Sequence, residues 1–263
     1  MKKIYLMLMA MVAMLLASCS SPKNVAYIQN SDSIDYSRSE VLYDARIMPK
    51  DILTITVNTV NPEASEPFNL FVSSELSANR SIGGQRALQT YLVDNKGCIE
   101  FPVIGTTKVG GLTKSACEKL IHDKIQRFMN AEENPIVTVR MSNYKISVLG
   151  EVNRPGMFTV SNEKINIFEA LAQAGDLTIY GVRDRVKLIR EDEKGHKDVY
   201  TLNLNDAEII NSPYYYLQQN DVIYVEPNKV KAKNSAIGQS TTIWISIAGA
   251  LVSLASLVVN ILR

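Results

Sequence analysis

The chain has 263 residues, 46% hydrophobic and 21% charged, which suits a globular protein of more than one domain and excludes a disordered or fibrous one. Its formal charge is +1; without Lys2 and Lys3, in a segment expected to be removed, Lys and Arg fall from 28 to 26 against 27 acids, a net of −1. A chain this close to neutral has no electrostatic footprint for nucleic acid, and nucleic-acid partners are excluded.

Residues 1–18 carry two lysines, an apolar core from Ile4 to Leu16, and small residues after it, the order of a secretory signal peptide. Leu16-Ala17-Ser18-Cys19 matches the bacterial lipobox, in which the cysteine is lipidated and becomes the mature N-terminus. Cys19 is therefore the expected lipidation site. Ser20 follows it in place of the Asp that marks inner-membrane retention, so the outer membrane is the expected destination. Residues 19–42 are polar, with Pro22, Asn24 and Asn30, and lack a period; they are expected to form a tether.

A first domain is expected over residues 43–142. After a turn at Pro49 to Asp51, Leu53, Ile55 and Val57 alternate with Thr54 and Thr56, as in a half-buried strand. Asn61 to Ala87, rich in Pro, Ser, Asn, Glu and Gly, reads as an exposed excursion. Strand character resumes at Tyr91 to Val93, turns at Asp94-Asn95-Lys96-Gly97 and returns from Ile99 to Ile104, a predicted hairpin. Thr113 is placed to cap a helix whose buried face is Cys117, Leu120, Ile121, Ile125 and Phe128. Pro135 to Val139 then closes an α+β unit as a strand. Cys98 opens a strand and Cys117 lies on the apolar side of the helix; a disulfide and two buried free thiols both remain open.

A second domain is expected over residues 143–228. Lys145 to Val152 and Met157 to Val160 are alternating runs, and Pro155-Gly156 between them suggests a type II turn closing a hairpin. Asn166 with Glu169 resembles a capping box, Phe168, Leu171 and Ala172 form the buried face, and Gly175 ends the helix. Val186 to Arg190 is a strand, Glu191 to Gly195 a charged turn, and Tyr214 to Leu217 and Asp221 to Val225 further strands. One hairpin, one helix and further strands fit a β-grasp arrangement. Pro49-Lys50-Asp51-Ile52 and Gln219-Asn220-Asp221-Val222 echo one another locally.

Residues 229–241 are a linker with Lys229, Lys231 and Lys233, and residues 242–263 form a candidate C-terminal transmembrane helix. From Ile243 to Leu262 there is no charge, and twenty residues at about 1.5 Å each span about one hydrocarbon thickness. Thr242, Ser246, Gly249, Ser253, Ser256, Asn260 and Arg263 follow at alternating steps of four and three, a seam of small and polar residues. Such a seam either lines water in an oligomer or packs dry against a neighbouring helix. Trp244 and Arg263 suit interfacial anchors at the two ends of the span.

Catalytic signals are absent: there is no Gly-x-Ser-x-Gly elbow and no His-Glu-x-x-His helix. Gly105 to Gly110 has phosphate-loop spacing, but Gly111 stands where Lys is needed. His122 and His196 lie in polar settings. Glu132-Glu133 and Glu191-Asp192-Glu193 read as solvated edges, and Tyr214 to Tyr216 as a strand with one ring in the core and two at its edge. No catalytic residue, metal or cofactor is expected, and the protein is not expected to be an enzyme.

The mature chain resembles the outer-membrane polysaccharide export (Wza-like) lipoproteins. The resemblance rests on Cys19, on Met48-Pro49-Lys50-Asp51-Ile52-Leu53, and on Asp94-Asn95-Lys96-Gly97 with Phe101-Pro102-Val103-Ile104-Gly105. Val148-Leu149-Gly150-Glu151-Val152 before Pro155-Gly156, Glu169 to Gly175, and Asn220 to Val225 continue it in family order. It implies a polysaccharide export domain, a β-grasp domain of the soluble-ligand-binding (SLBB) type, and a homo-oligomeric ring whose C-terminal helices form a barrel through the outer membrane; the best-known members carry an additional β-grasp domain, and one is expected from the length here. It further implies that capsular or extracellular polysaccharide is the cargo, received from an inner-membrane copolymerase of the tyrosine-kinase type. On this reading Ser246, Gly249, Ser253, Ser256 and Asn260 line the pore. The alternative is a lipid-anchored periplasmic module that binds a glycan or a partner and has no pore.

Overall fold

A computed structural model describes residues 25–39, 43–73, 86–130, 132–162 and 164–236, and in the tail Ile243, Trp244, Ser246, Ile247, Gly249, Ala250, Ser253, Leu254 and Leu257. Two hydrophobic cores follow one another along the chain.

The first core is built on β1 (Ile52–Asn58), whose alternation buries Leu53, Ile55 and Val57. It lies between β4 (Thr90–Leu92) and β7 (Ile136–Met141), antiparallel to both. The helix α2 (Lys114–Ile125) starts where Thr113 Oγ1 accepts the Ala116 amide at 3.3 Å. It buries Cys117, Ile121 and Ile125 against the sheet, each isoleucine contributing about 1.5–3 kcal/mol of apolar burial. Phe128 departs from expectation and is 60% exposed, because α2 tightens to a 3-10 turn over Gln126–Phe128 that rotates the ring off the buried stripe.

The hairpin also lies elsewhere than expected. Strand β5 (Cys98–Phe101) pairs with β6 (Gly105–Lys108) around Pro102, Val103 and Ile104, with Val103 and Gly105 both at positive φ. Asp94 to Gly97 is instead a side-chain turn in which Asp94 Oδ1 accepts the amides of Lys96 and Cys98, each at 2.8 Å. Part of the expected excursion is folded: the short helix α1 (Pro62–Ser65) leads to buried Phe68, and Asn69 bonds both the amide and the carbonyl of Val57. Strands β2 (Phe71–Ser73) and β3 (Arg86–Leu88) continue it as a two-stranded arm.

The second core is a five-stranded sheet in the order β11-β10-β12-β8-β9. Its strands are β8 (Lys145–Gly150), β9 (Gly156–Thr159), β10 (Val186–Glu191), β11 (Lys197–Leu202) and β12 (Val222–Val225). The central pair, β12 with β8, is parallel and its other neighbours are antiparallel, the β-grasp pattern. Helix α3 (Ile167–Gln173) crosses it with the expected capping box at Asn166 and Glu169, and Gly175 at φ +74 closes its C-terminus. There the Asp176 amide reaches the Leu171 carbonyl at 2.8 Å, a Schellman closure. Pro155-Gly156 does not form the predicted type II turn. Gly156 already belongs to β9, and the positive φ of the connection falls on Gly150, where an added Cβ would stand 2.1 Å from the Val225 carbonyl oxygen.

The stretch expected as a loose tether is docked on this second core. The amides of Ile28 and Gln29 donate to the carbonyls of Leu204 and Asn205 at 3.1 and 2.7 Å. Asn30 donates to Asp206 Oδ1 at 2.9 Å and accepts the Ala207 amide at 2.8 Å. The Tyr27 ring packs edge-on against Phe168, and its hydroxyl donates to Asp176 at 2.5 Å. Among the described residues no helix is long and apolar enough to cross a membrane. The helix α4 (Lys229–Ala236) leaves the second core toward the tail, its first amides capped by Asn228 Oδ1.

Candidate functional site

The sequence echo becomes a shared piece of geometry. Lys50 and Asn220 both take positive φ, +73° and +65°, and each is followed by a buried aspartate that opens β1 or β12. Asp51 Oδ2 accepts the Met48 amide at 2.8 Å, and Asp221 Oδ2 accepts the Gln218 amide at 2.7 Å. In both turns the aspartate's own amide reaches the same upstream carbonyl at 3.1 Å. Each domain thus enters its central strand through one and the same turn.

The electrostatics of the two turns differ. Asp221, 1% exposed, receives Arg190 through Nη2 at 2.6 Å and Nε at 3.0 Å, and the same guanidinium donates to the Tyr216 carbonyl. Burial raises the Asp221 carboxyl and Arg190 opposes that rise. Asp51 has no cation beside it. Its Oδ1 is buried without a hydrogen-bond partner, and burial pushes its pKa up to about 6, with only the Met48 amide pulling it back.

These turns meet at the junction of the domains. Asn143 Oδ1 accepts the Ile52 amide at 2.9 Å, its carbonyl accepts Gln219 Nε2 at 2.6 Å, and Gln219 Oε1 takes the Lys145 amide at 2.7 Å. The hydroxyls of Tyr43 and Tyr144 both donate to the Leu217 carbonyl, at 2.9 and 2.6 Å. Beside this clamp runs a cleft of about 410 Å³, lined by Lys50 and Asn95 from the first domain and by Glu191, Glu193, Gln219 and Asn220 from the second. Glu193 comes so close to Gly111 that a Cβ there would lie 3.0 Å from its carboxylate. The cleft offers amides, ammonium groups and carboxylates but no nucleophile paired with a base, so its chemistry is hydrogen bonding rather than bond breaking.

The tyrosine run is not the expected strand. Tyr214 stacks on Tyr200 at 3.9 Å and Tyr216 on Tyr43 at 4.8 Å, while Tyr215 leans on Phe168; all three are half-buried. They tie the last loop to three other elements. Cys98 and Cys117 are free thiols; Cys117 is buried, with its pKa pushed up to about 12 by burial, whereas Cys98 is only partly covered. His122 bonds Asp123 and Asn134, each at 3.2 Å, and His196 lies in an exposed turn. Among the described residues no group of His, Cys, Asp or Glu is placed to hold a metal.

Of the residues singled out in the tail, Trp244, Ser246, Gly249 and Ser253 are described; all four are helical and exposed. Ser253 Oγ donates to the Gly249 carbonyl at 3.0 Å, the back-bond of a serine within a helix. Cys19, Ser256, Asn260 and Arg263 lie outside the described residues.

Comparison with known proteins matches residues 39–142 to the family "Polysaccharide biosynthesis/export protein" and residues 144–225 to the SLBB domain. Two curated relatives are both named "EPS I polysaccharide export outer membrane protein EpsA". The one from Ralstonia nicotianae is 33% identical over 150 residues, covering 55% of this chain and 38% of the relative. The one from Ralstonia solanacearum is 28% identical over 205 residues, covering 75% of this chain and 52% of the relative. The chain therefore spans about half or less of the length of these relatives.

Proposed function

Because the chain belongs to the polysaccharide export family, we propose that it carries an extracellular or capsular polysaccharide across the outer membrane as a passive, ring-shaped conduit. Its role is transport and not catalysis. Cys19 carries the lipid, the two domains stand in the periplasm, and residues 242–263 supply one helix per subunit to a barrel through the membrane. Polymer reaches the ring from an inner-membrane copolymerase of the tyrosine-kinase type.

The observation that carries this reading is the tail. Where described it is helical, with exposed Ile243, Ile247, Leu254 and Leu257 beside exposed Ser246, Gly249 and Ser253. Aliphatic side chains suit lipid. A seam of hydroxyls and backbone suits water and sugar, and carries no charge to trap an anionic polymer. The body supports the same reading, since the bonds from the Ile52 amide to Asn143 and from the Tyr43 hydroxyl to the Leu217 carbonyl tie the two domains to one another, as closure of a ring requires.

Electron microscopy of the detergent-extracted full-length protein tests the proposal. Closed rings with a central hole and a narrow detergent-covered crown are expected. Monomers or dimers alone would overturn it in favour of a tethered binding module, with the seam as a packing face.

A further inference from the structure

Both membrane-directed ends of the chain leave from one place on the second domain. Val25, the first described residue after Cys19, and Asn228 and Lys229, at the start of α4, line one shallow groove of about 280 Å³. The loop between them is fixed: the Asn228 amide donates to the Tyr180 carbonyl at 2.8 Å and the Val182 amide to the Glu226 carbonyl at 2.9 Å. On that loop Ile179 is 78% exposed, with Val25 at 54% and Val230 at 57%. Such a grouping of aliphatic side chains at a chain exit has no partner among the described residues.

Resting on the anchored reading above, we propose that this end of the second domain sits against the anionic phospholipid leaflet, with Ile179 inserted among the headgroups. Chain length supports the placement. Val25 stands six positions after Cys19, so a lipidated Cys19 holds Val25 at most about 20 Å from the interface. Charge supports it too. Lys229 and Lys233 have no ion-pair partner among the described residues, whereas the nearby acids are largely engaged. Glu151 holds Lys231 at 3.3 Å and Asp184 faces Arg185 at 3.8 Å, leaving Glu226 as the remaining acid beside the groove. Aliphatic side chains ringed by cations are the composition of a surface that rests on anionic lipid.

The test uses the full-length chain in vesicles of phosphatidylethanolamine and phosphatidylglycerol containing nitroxide-labelled lipid. An Ile179→Cys variant in a Cys98→Ser background is labelled with an environment-sensitive fluorophore. A Phe128→Cys variant, in the first domain, is the reference, and Trp244 reports insertion of the tail. At least twofold stronger lipid quenching at position 179 than at position 128 is expected, weakened when Arg185→Glu and Lys229→Glu are added. Equal quenching at the two positions overturns the inference. If Trp244 is quenched in that case, only the resting of this end on the membrane fails; if Trp244 is unquenched as well, the anchored reading fails with it.

Discussion

At Asp51 and Asp221 the same backbone turn holds two different electrostatic states, and the difference is one arginine. Burial raises both carboxyls, but at Asp221 the adjacent Arg190 opposes the rise, while Asp51 faces only the Met48 amide and leaves Oδ1 unpaired. A carboxyl raised from 3.8 to about 6 binds more protons folded than unfolded between those two values. Its contribution to stability is therefore greatest below about pH 4 and declines as pH rises through 6, by about 2–3 kcal/mol in all. Asp51→Asn preserves an oxygen for the Met48 amide and removes the titration. Urea denaturation from pH 4 to 7 should show the difference between wild type and variant shifting in favour of the variant as pH rises. A constant difference across that range would mean that Asp51 does not titrate there.

At the scale of elements, the segment before the first domain belongs to the second one. Asn30 is its central pin, giving its amide to Asp206 and taking the Ala207 amide in return. Asn30→Ala leaves the buried Ala207 amide unsatisfied, at a cost of about 1–3 kcal/mol. Hydrogen exchange should rise at the Ile28 and Gln29 amides, which bond Leu204 and Asn205; unaltered protection there would show that Asn30 is not the pin. Sequence reasoning missed this docking because its bonds run between residues some 175 positions apart and use backbone and polar groups, which leave no period. What it found was what short-range physics writes into a sequence. The alternation of β1, the Thr113 cap and the Asn166–Glu169 box each depend on neighbours within a few residues. Where partner choice was long-range it erred, as in closing the hairpin at Asp94–Gly97 when Val103 and Gly105 supply the positive φ between paired strands. The echo between Asp51 and Asp221 was visible, but their burial and the single arginine were not, since Arg190 arrives from another strand.

At the scale of the whole molecule, a two-domain body and a patterned tail have to work together, and the tail is where the conduit reading is most exposed to test. Ser253 and Leu254 are both exposed on the helix, about 100° apart around its axis, so one belongs to the polar seam and the other to the aliphatic face. Ser253→Leu puts a branched aliphatic side chain into the seam and raises the hydrophobicity of the span. If the seam lines water, such a side chain in every subunit narrows and dries the passage at one level, and hydrophobic constrictions of that kind close pores by dewetting. Leu254→Ala changes the aliphatic face and leaves the passage open. Surface polysaccharide should therefore fall to the level of a strain lacking the protein with Ser253→Leu and stay normal with Leu254→Ala, while the urea midpoint of the two-domain body is the same in both. Normal surface polymer in the Ser253→Leu strain would turn the seam into a dry packing face. That result would also leave the conduit reading without the observation that carries it, because the exposed polar and aliphatic faces of the tail are its support.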